Sequence, residues 1–200
     1  MKSALFLIAV LLFTACTSEP KPAFAGIDKN DTKEMKSLKI SLFQYTEATI
    51  SNDTEALLSF IYPPVFTIIP KEKMRQMLIK TFHSRDVPKI KDVKHSKIES
   101  IKKYDAGVYS IITSSMTTII KSPKPKNQEF EEKMLTALQK QIGSRGTISL
   151  DKEKHLFNIR HTNKTIALNE KGSWKFIGFK QAQKYIKKGI FPLMLIDKLN

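Results

Sequence analysis

The sequence predicts an α+β domain in which N-terminal helices pack on a bent antiparallel sheet, behind an N-terminus built for export. Three observations carry that reading. Apolar residues recur every three to four positions as far as Phe82, the spacing of amphipathic helices, and from Ile90 the period shortens to about two, the spacing of strands. The two long strand-like runs are joined by turn-forming residues at 104–107, which predicts an antiparallel hairpin. The last run, 173–179, puts Trp174 and Phe176 on one face and Ile177 and Phe179 on the other, so both of its faces need cover.

In order along the chain, Asp31 offers an N-cap carboxylate with Glu34 three residues on, and Met35, Leu38, Leu42 and Tyr45 then form one stripe of a helix ending near Ser51. A second capping pattern at 52–55 starts a short helix with Leu57, Phe60 and Ile61, stopped by Pro63 and Pro64. Residues 65–69 are a β-branched run and predict a short strand. Pro70 opens a third helix that turns Met74, Met77, Leu78 and Phe82 inward. Long strands follow over 89–103 and 107–121, a hairpin around the 104–107 turn. Phe130, Met134, Leu138 and Ile142 mark an inserted helix, closed by Gly143 as its C-cap. Further strands are expected over 146–150, 155–161, 165–169 and 173–179. Short helices then follow around Ala182–Ile186 and over 192–199.

The composition bounds the class of protein. Of 200 residues 41% are apolar, ordinary for a globular chain, and 34 Lys+Arg against 19 Asp+Glu give a net charge of +15. One cysteine excludes an intramolecular disulfide framework and a thiolate zinc site.

Residues 1–15 read as a signal peptide: Lys2, then an apolar run over 4–13, then Thr14-Ala15 before Cys16. The run falls short of the roughly 20 apolar residues that span a bilayer. The segment Leu12-Phe13-Thr14-Ala15-Cys16 resembles the bacterial lipoprotein lipobox, with Phe13 where that family carries Leu. The resemblance implies acylation of Cys16, which becomes the mature N-terminus. Residue 17 is Thr rather than Asp, which by resemblance to sorting signals favours the outer membrane, facing the periplasm. The alternative is cleavage after Ala25, within Ala23-Phe24-Ala25, releasing a soluble secreted or periplasmic protein. Residues 16–30, with Pro20, Pro22 and Gly26, read as a lipidated tether, leaving 31–200 as a single α+β domain.

Helices first, a sheet after, and Gly172-Ser173-Trp174-Lys175-Phe176 near the end resemble the nuclear transport factor 2-like, or ketosteroid isomerase-like, superfamily. Tyr62-Pro63-Pro64-Val65-Phe66 after the second helix is the other point of resemblance. The resemblance implies a cone-shaped fold with helices on the concave face of a bent sheet, and spans Thr32 to Phe179. The helix over 127–142 departs from the simplest members. A ligand site, if one follows the family, lies in the cone, with Tyr62, Phe66, Tyr109, Thr113 and Trp174 as lining candidates.

Catalytic members of that superfamily use an Asp or an Asp–His pair beside a Tyr donor, and no position here matches those motifs. Asp86 and Asp105 fall in expected solvated turns, and His83 at the end of the third helix is the one residue that could supply a base. The long strand alternates Tyr109, Ile111, Thr113, Ser115, Thr117 and Ile119 against Val108, Ser110, Ile112, Ser114, Met116, Thr118 and Ile120, so neither face is cleanly polar. His83, His95, His155 and His161 have no metal-ligand spacing, and no phosphate-loop, dinucleotide or nucleophile motif occurs. No cofactor or metal is expected. The charge suits a lysine-rich surface or an anionic envelope component, and export argues against nucleic acid. The expected function is a non-catalytic ligand-binding or interaction lipoprotein of the cell envelope. The alternative is a ketosteroid isomerase-like isomerase, dehydratase or hydrolase acting on a small apolar substrate.

Overall fold

The computed structural model describes residues 26–83, 89–186 and 188–189. The expected signal peptide with Cys16, most of the tether, Asp86 and the helix expected over 192–199 lie outside the described residues.

Three helices open the domain. α1 (Lys33–Ser51) is capped by Thr32 rather than Asp31: the Thr32 hydroxyl accepts the Met35 N–H at 3.1 Å, and Asp31 instead meets Lys39 Nζ at 2.7 Å. Asn52 closes α1 in the left-handed region at φ 64°, and the next residue, Asp53, caps α2 (Thr54–Phe60). The β-branched run after α2 is not a strand. Pro63 and Pro64 preset φ near −65°, and Pro63–Thr67 closes as a 3-10 turn before α3 (Lys71–His83).

The strands are β1 (Lys89–Ile98), β2 (Lys102–Tyr104), β3 (Gly107–Lys121), β4 (Gly146–Asp151), β5 (Leu156–Asn169) and β6 (Trp174–Gly178). The run 89–103 is therefore two strands, β1 and β2, that share one edge of β3. The runs 155–161 and 165–169 are a single strand, β5, because Asn163 and Lys164 stay paired with Ser114 and Thr113. His155 lies just before β5 at φ 53°. Every strand pair is antiparallel, in the order β1-β3-β5-β4, with β2 also beside β3 and β6 beside β5. α4 (Gln128–Ile142), capped by Asn127 and closed by Gly143 at φ 57°, packs on β4, and α5 (Phe179–Ile186) follows β6. The described residues thus form an α+β fold of five helices and an open six-stranded antiparallel sheet.

The three N-terminal helices expected together on one face are split between two. Leu38 and Leu42 of α1 pack with Ile112, Ala167, Trp174 and Phe176. Leu58, Val65, Met74 and Leu78, with Ala182 and Tyr185 of α5, pack with Tyr109, Ile166, Leu168 and Ile177. Because side chains alternate along β3, β5 and β6, these clusters lie on opposite faces of the sheet. α2 bridges them at the β6 edge, where Ile61 forms a parallel bridge to Phe176 and Phe60 packs on Tyr45 and Phe176.

Two bulges bend β1. Lys91 and Ser96 are each inserted against β3, so Ile90 and Val93, and likewise His95 and Ile98, share α1's face although they stand three residues apart. Two glycines permit close approach. A Cβ on Gly107 would lie 2.1 Å from Asn169 O and one on Gly146 would lie 2.2 Å from Arg160 O. Gly146→Ala is therefore expected to cost about 1–3 kcal/mol by forcing β4 off β5. Chemical denaturation measures this; an unchanged midpoint would contradict the close register.

Candidate functional site

Among the described residues, an open cleft of mixed polar and apolar side chains lies between α1 and β1, where the chain enters the domain. It is lined by Asp31, Met35, Lys39, His95, Ser96, Lys97 and Ile98 and has a volume of about 280 Å³. Its position follows from the caps and bulges above. Thr32 starts α1 so that Met35 and Lys39 face β1, and the Ser96 bulge turns His95 and Ile98 toward α1. Lys39 Nζ closes one wall, meeting Asp31 and the Gly26 carbonyl at 2.7 and 3.1 Å. That ion pair holds the Asp31 carboxyl below the ordinary carboxylate range, chiefly through the Lys39 hydrogen bond. Met35 and Ile98 also pack against the cluster that buries Trp174, so the indole sits one layer behind the cleft.

His95 is the ionisable group at the inner end of this cleft. The Thr46 hydroxyl donates to Leu42 O at 2.8 Å, so its oxygen receives His95 Nε2–H at 3.0 Å. Nδ1 then accepts the Ser114 hydroxyl at 2.8 Å. One tautomer satisfies both contacts. Burial pushes the imidazole down to about 4, which keeps it neutral and committed at neutral pH.

A second cluster lies where β3 begins, on the face of the sheet opposite α1. Tyr62, after α2, and Tyr104, at the end of β2, both donate to Glu170 Oε1, at 2.8 and 2.7 Å, from the turn before β6. Burial first, and the Glu170 carboxylate second, push both phenols well above their ordinary value, so they keep their protons and act as donors. A third pair joins His155 Nδ1 to the buried Glu131 of α4 at 3.0 Å. Burial lowers His161, with Arg145 adding to the effect.

The five lining candidates are not gathered at one place. Tyr62, Phe66 and Tyr109 belong to the cluster of α3 and α5, and Trp174 belongs to the opposite face with α1. Thr113 is half-buried in mid-β3 and shares the face of Lys97 and Lys164. The cleft beside α1 is lined by none of them. His83 is exposed and turned back on Ile79 O at 2.8 Å rather than toward a tyrosine. The carboxylate that does meet tyrosine hydroxyls is Glu170, which the sequence offers only as a turn residue. His95, Thr46 and Ser114 come together from α1, β1 and β3, separations of 49 and 19 residues that leave no local motif. Among the described residues no group of three His, Cys, Asp or Glu could hold a metal ion, and no helix is long and apolar enough to cross a membrane.

No protein-family model matches the chain, and neither a curated protein nor a solved structure is significantly similar to it.

Proposed function

We propose that the chain is an exported, membrane-tethered lipoprotein whose domain is a non-catalytic binding module of the cell envelope, with the α1–β1 cleft as its ligand site. The observation that carries the reading is that cleft: a mixed apolar and cationic recess beside the point where the tether joins the domain. The chemistry of its walls suits binding rather than proton transfer. His95 has both nitrogens engaged, and Asp31 is engaged by Lys39, so neither is positioned as a base for a bound molecule. The apolar faces of Met35 and Ile98 remain to meet a small ligand. The succession of helices, long paired strands and a late Trp-Lys-Phe strand supports a variant of the nuclear transport factor 2-like cone, with α1 as its concave-face helix.

One arrangement favours a ketosteroid isomerase-like enzyme instead: two protonated tyrosines on the Glu170 carboxylate, the pairing of donor and base that such chemistry uses. The two readings part on Glu170→Gln, which abolishes turnover in the enzyme and leaves a module's ligand binding intact.

The tether is tested by Cys16→Ser and cell fractionation. The wild type is expected in the membrane fraction and the variant to leave it, because acyl chains supply most of the anchoring and a single chain is marginal. Equal membrane retention of both would end the lipoprotein reading.

A further inference from the structure

We propose that the outward face of β1, β3 and β5, on the side away from α1, is a docking surface for an anionic lipid bilayer. The register assembles it. On that face Lys97, Thr113 and Lys164 share one row, Lys94, Ser115 and Thr162 the next, and Asp92, Thr117 and Arg160 the third. Two cationic columns, on β1 and β5, thus flank a hydroxyl column on β3, about 10 Å apart across two strand spacings.

The cations are available to a partner. Lys94 and Lys97 have side chains 60% and 66% exposed, and Arg160 and Lys164 are exposed. Asp92 is the one carboxylate in these three strands; Lys94 lies 3.7 Å from it and Lys97 3.5 Å from Glu99, long contacts in water that hold neither lysine firmly. Arg160 Nε reaches Ser115 Oγ at 3.3 Å, which spreads the guanidinium over the hydroxyl column.

Three features select a bilayer. No aromatic residue stands in these rows, and the half-buried Phe179 ring at their end already has the Lys164 ammonium over it at 5.5 Å from the centroid, so the face offers no run of rings for stacking bases or sugars. It reads charge over a plane rather than along a groove. The chain enters the domain at the same edge, since Asp31, Met35 and Lys39 line one cleft with His95–Ile98 of β1. Nearness to a membrane rests on the tether reading above. A tethered domain would bring this edge strand down first, and electrostatic attraction to anionic headgroups would then hold it flat.

The test uses the full chain carrying Cys16→Ser throughout, so that acylation plays no part, and sedimentation with phosphatidylcholine vesicles with or without phosphatidylglycerol. Phosphatidylglycerol is expected to raise binding, and high salt to remove the increase. Each cation near such a surface contributes about fivefold in partitioning, so Lys94→Gln/Lys97→Gln/Arg160→Gln/Lys164→Gln is expected to weaken the phosphatidylglycerol-dependent binding by roughly 600-fold. A charge-matched control, Lys73→Gln/Lys80→Gln/Lys133→Gln/Lys140→Gln, is expected to keep most of it, with thermal melts confirming that both variants fold. Equal loss in the control, or equal binding to both vesicles, overturns the proposal. So does a soluble acidic glycan that binds this face as tightly as the vesicles do, because the partner is then a glycan.

Discussion

Trp174→Ala is expected to destabilise the domain by about 3–5 kcal/mol, a large share of the 5–15 kcal/mol that holds a typical domain together. Trp174 is 1% exposed at the start of β6, packed among Leu38, Leu42, Ile112, Ala167 and Phe176. Truncation removes the side chain that joins α1 to β6 and leaves a cavity under a helix that cannot easily collapse. Trp174→Phe separates packing from hydrogen bonding. The indole Nε1 finds no acceptor among the described residues, and a buried donor without a partner costs about 1–3 kcal/mol, so removing it offsets much of the smaller ring's lost contact. The expected cost of Trp174→Phe is below about 1.5 kcal/mol. Denaturant unfolding measures both; equal losses for Ala and Phe would contradict this account of the core.

Acid is expected to weaken the fold well before its carboxylates protonate. The imidazole of His95 titrates near 6.5 in an unfolded chain and at about 4 in the folded one, because burial disfavours its charged form. Between those values the unfolded state binds more protons, so acid favours unfolding. The stability is complete above pH 6.5 and falls as pH drops toward 4, by at most about 3 kcal/mol for a shift of that size at 1.4 kcal/mol per unit. His161, lowered in the same direction, adds to the slope. The test is unfolding free energy at several pH values for wild type and His95→Gln, which keeps a polar side chain but does not titrate. The variant is expected to be less stable at pH 7 and flatter below 6.5. Parallel slopes would contradict the buried, neutral His95.

Helices were legible because their signals are local: the pattern at 52–55 holds, with Asp53 accepting the Ala56 N–H, and Gly143 closes α4 as expected. The cap of α1 was misplaced by one residue, because Asp31 is drawn to Lys39 and leaves Thr32 to accept the Met35 N–H, and Asn127 caps α4 without having been singled out. The alternation along the sheet was legible too, but its meaning was not. On β3, Tyr109 is buried under α3 and α5 and Ile111 is buried next along that face, while Thr113, Ser115 and Thr117 on the same face are half-exposed. The cover changes partway along the strand, which is why neither face reads as cleanly polar. On β1 the bulges gave Ile90 and Val93 a helix-like spacing inside a strand.

Site residues were harder to read because they meet across long separations. His95 with Thr46 and Ser114, and Glu170 with Tyr62 and Tyr104, are tertiary contacts between residue types that also populate ordinary surfaces and turns. The division of helices between two faces had one legible signal, the apolar residues on both sides of β6. It did not say which helix covers which side; that is decided by the Ile61–Phe176 bridge, which turns the chain around the edge of the sheet.

The account's central claim, a module held to a membrane by its own N-terminus, is tested most directly by intact-mass and N-terminal peptide analysis of the protein extracted from cells. The expected mature chain begins at Cys16 and carries a diacylglyceryl group on its sulfur. A mature chain that begins at Gly26, or one that keeps Met1 and an unmodified Cys16, would contradict it.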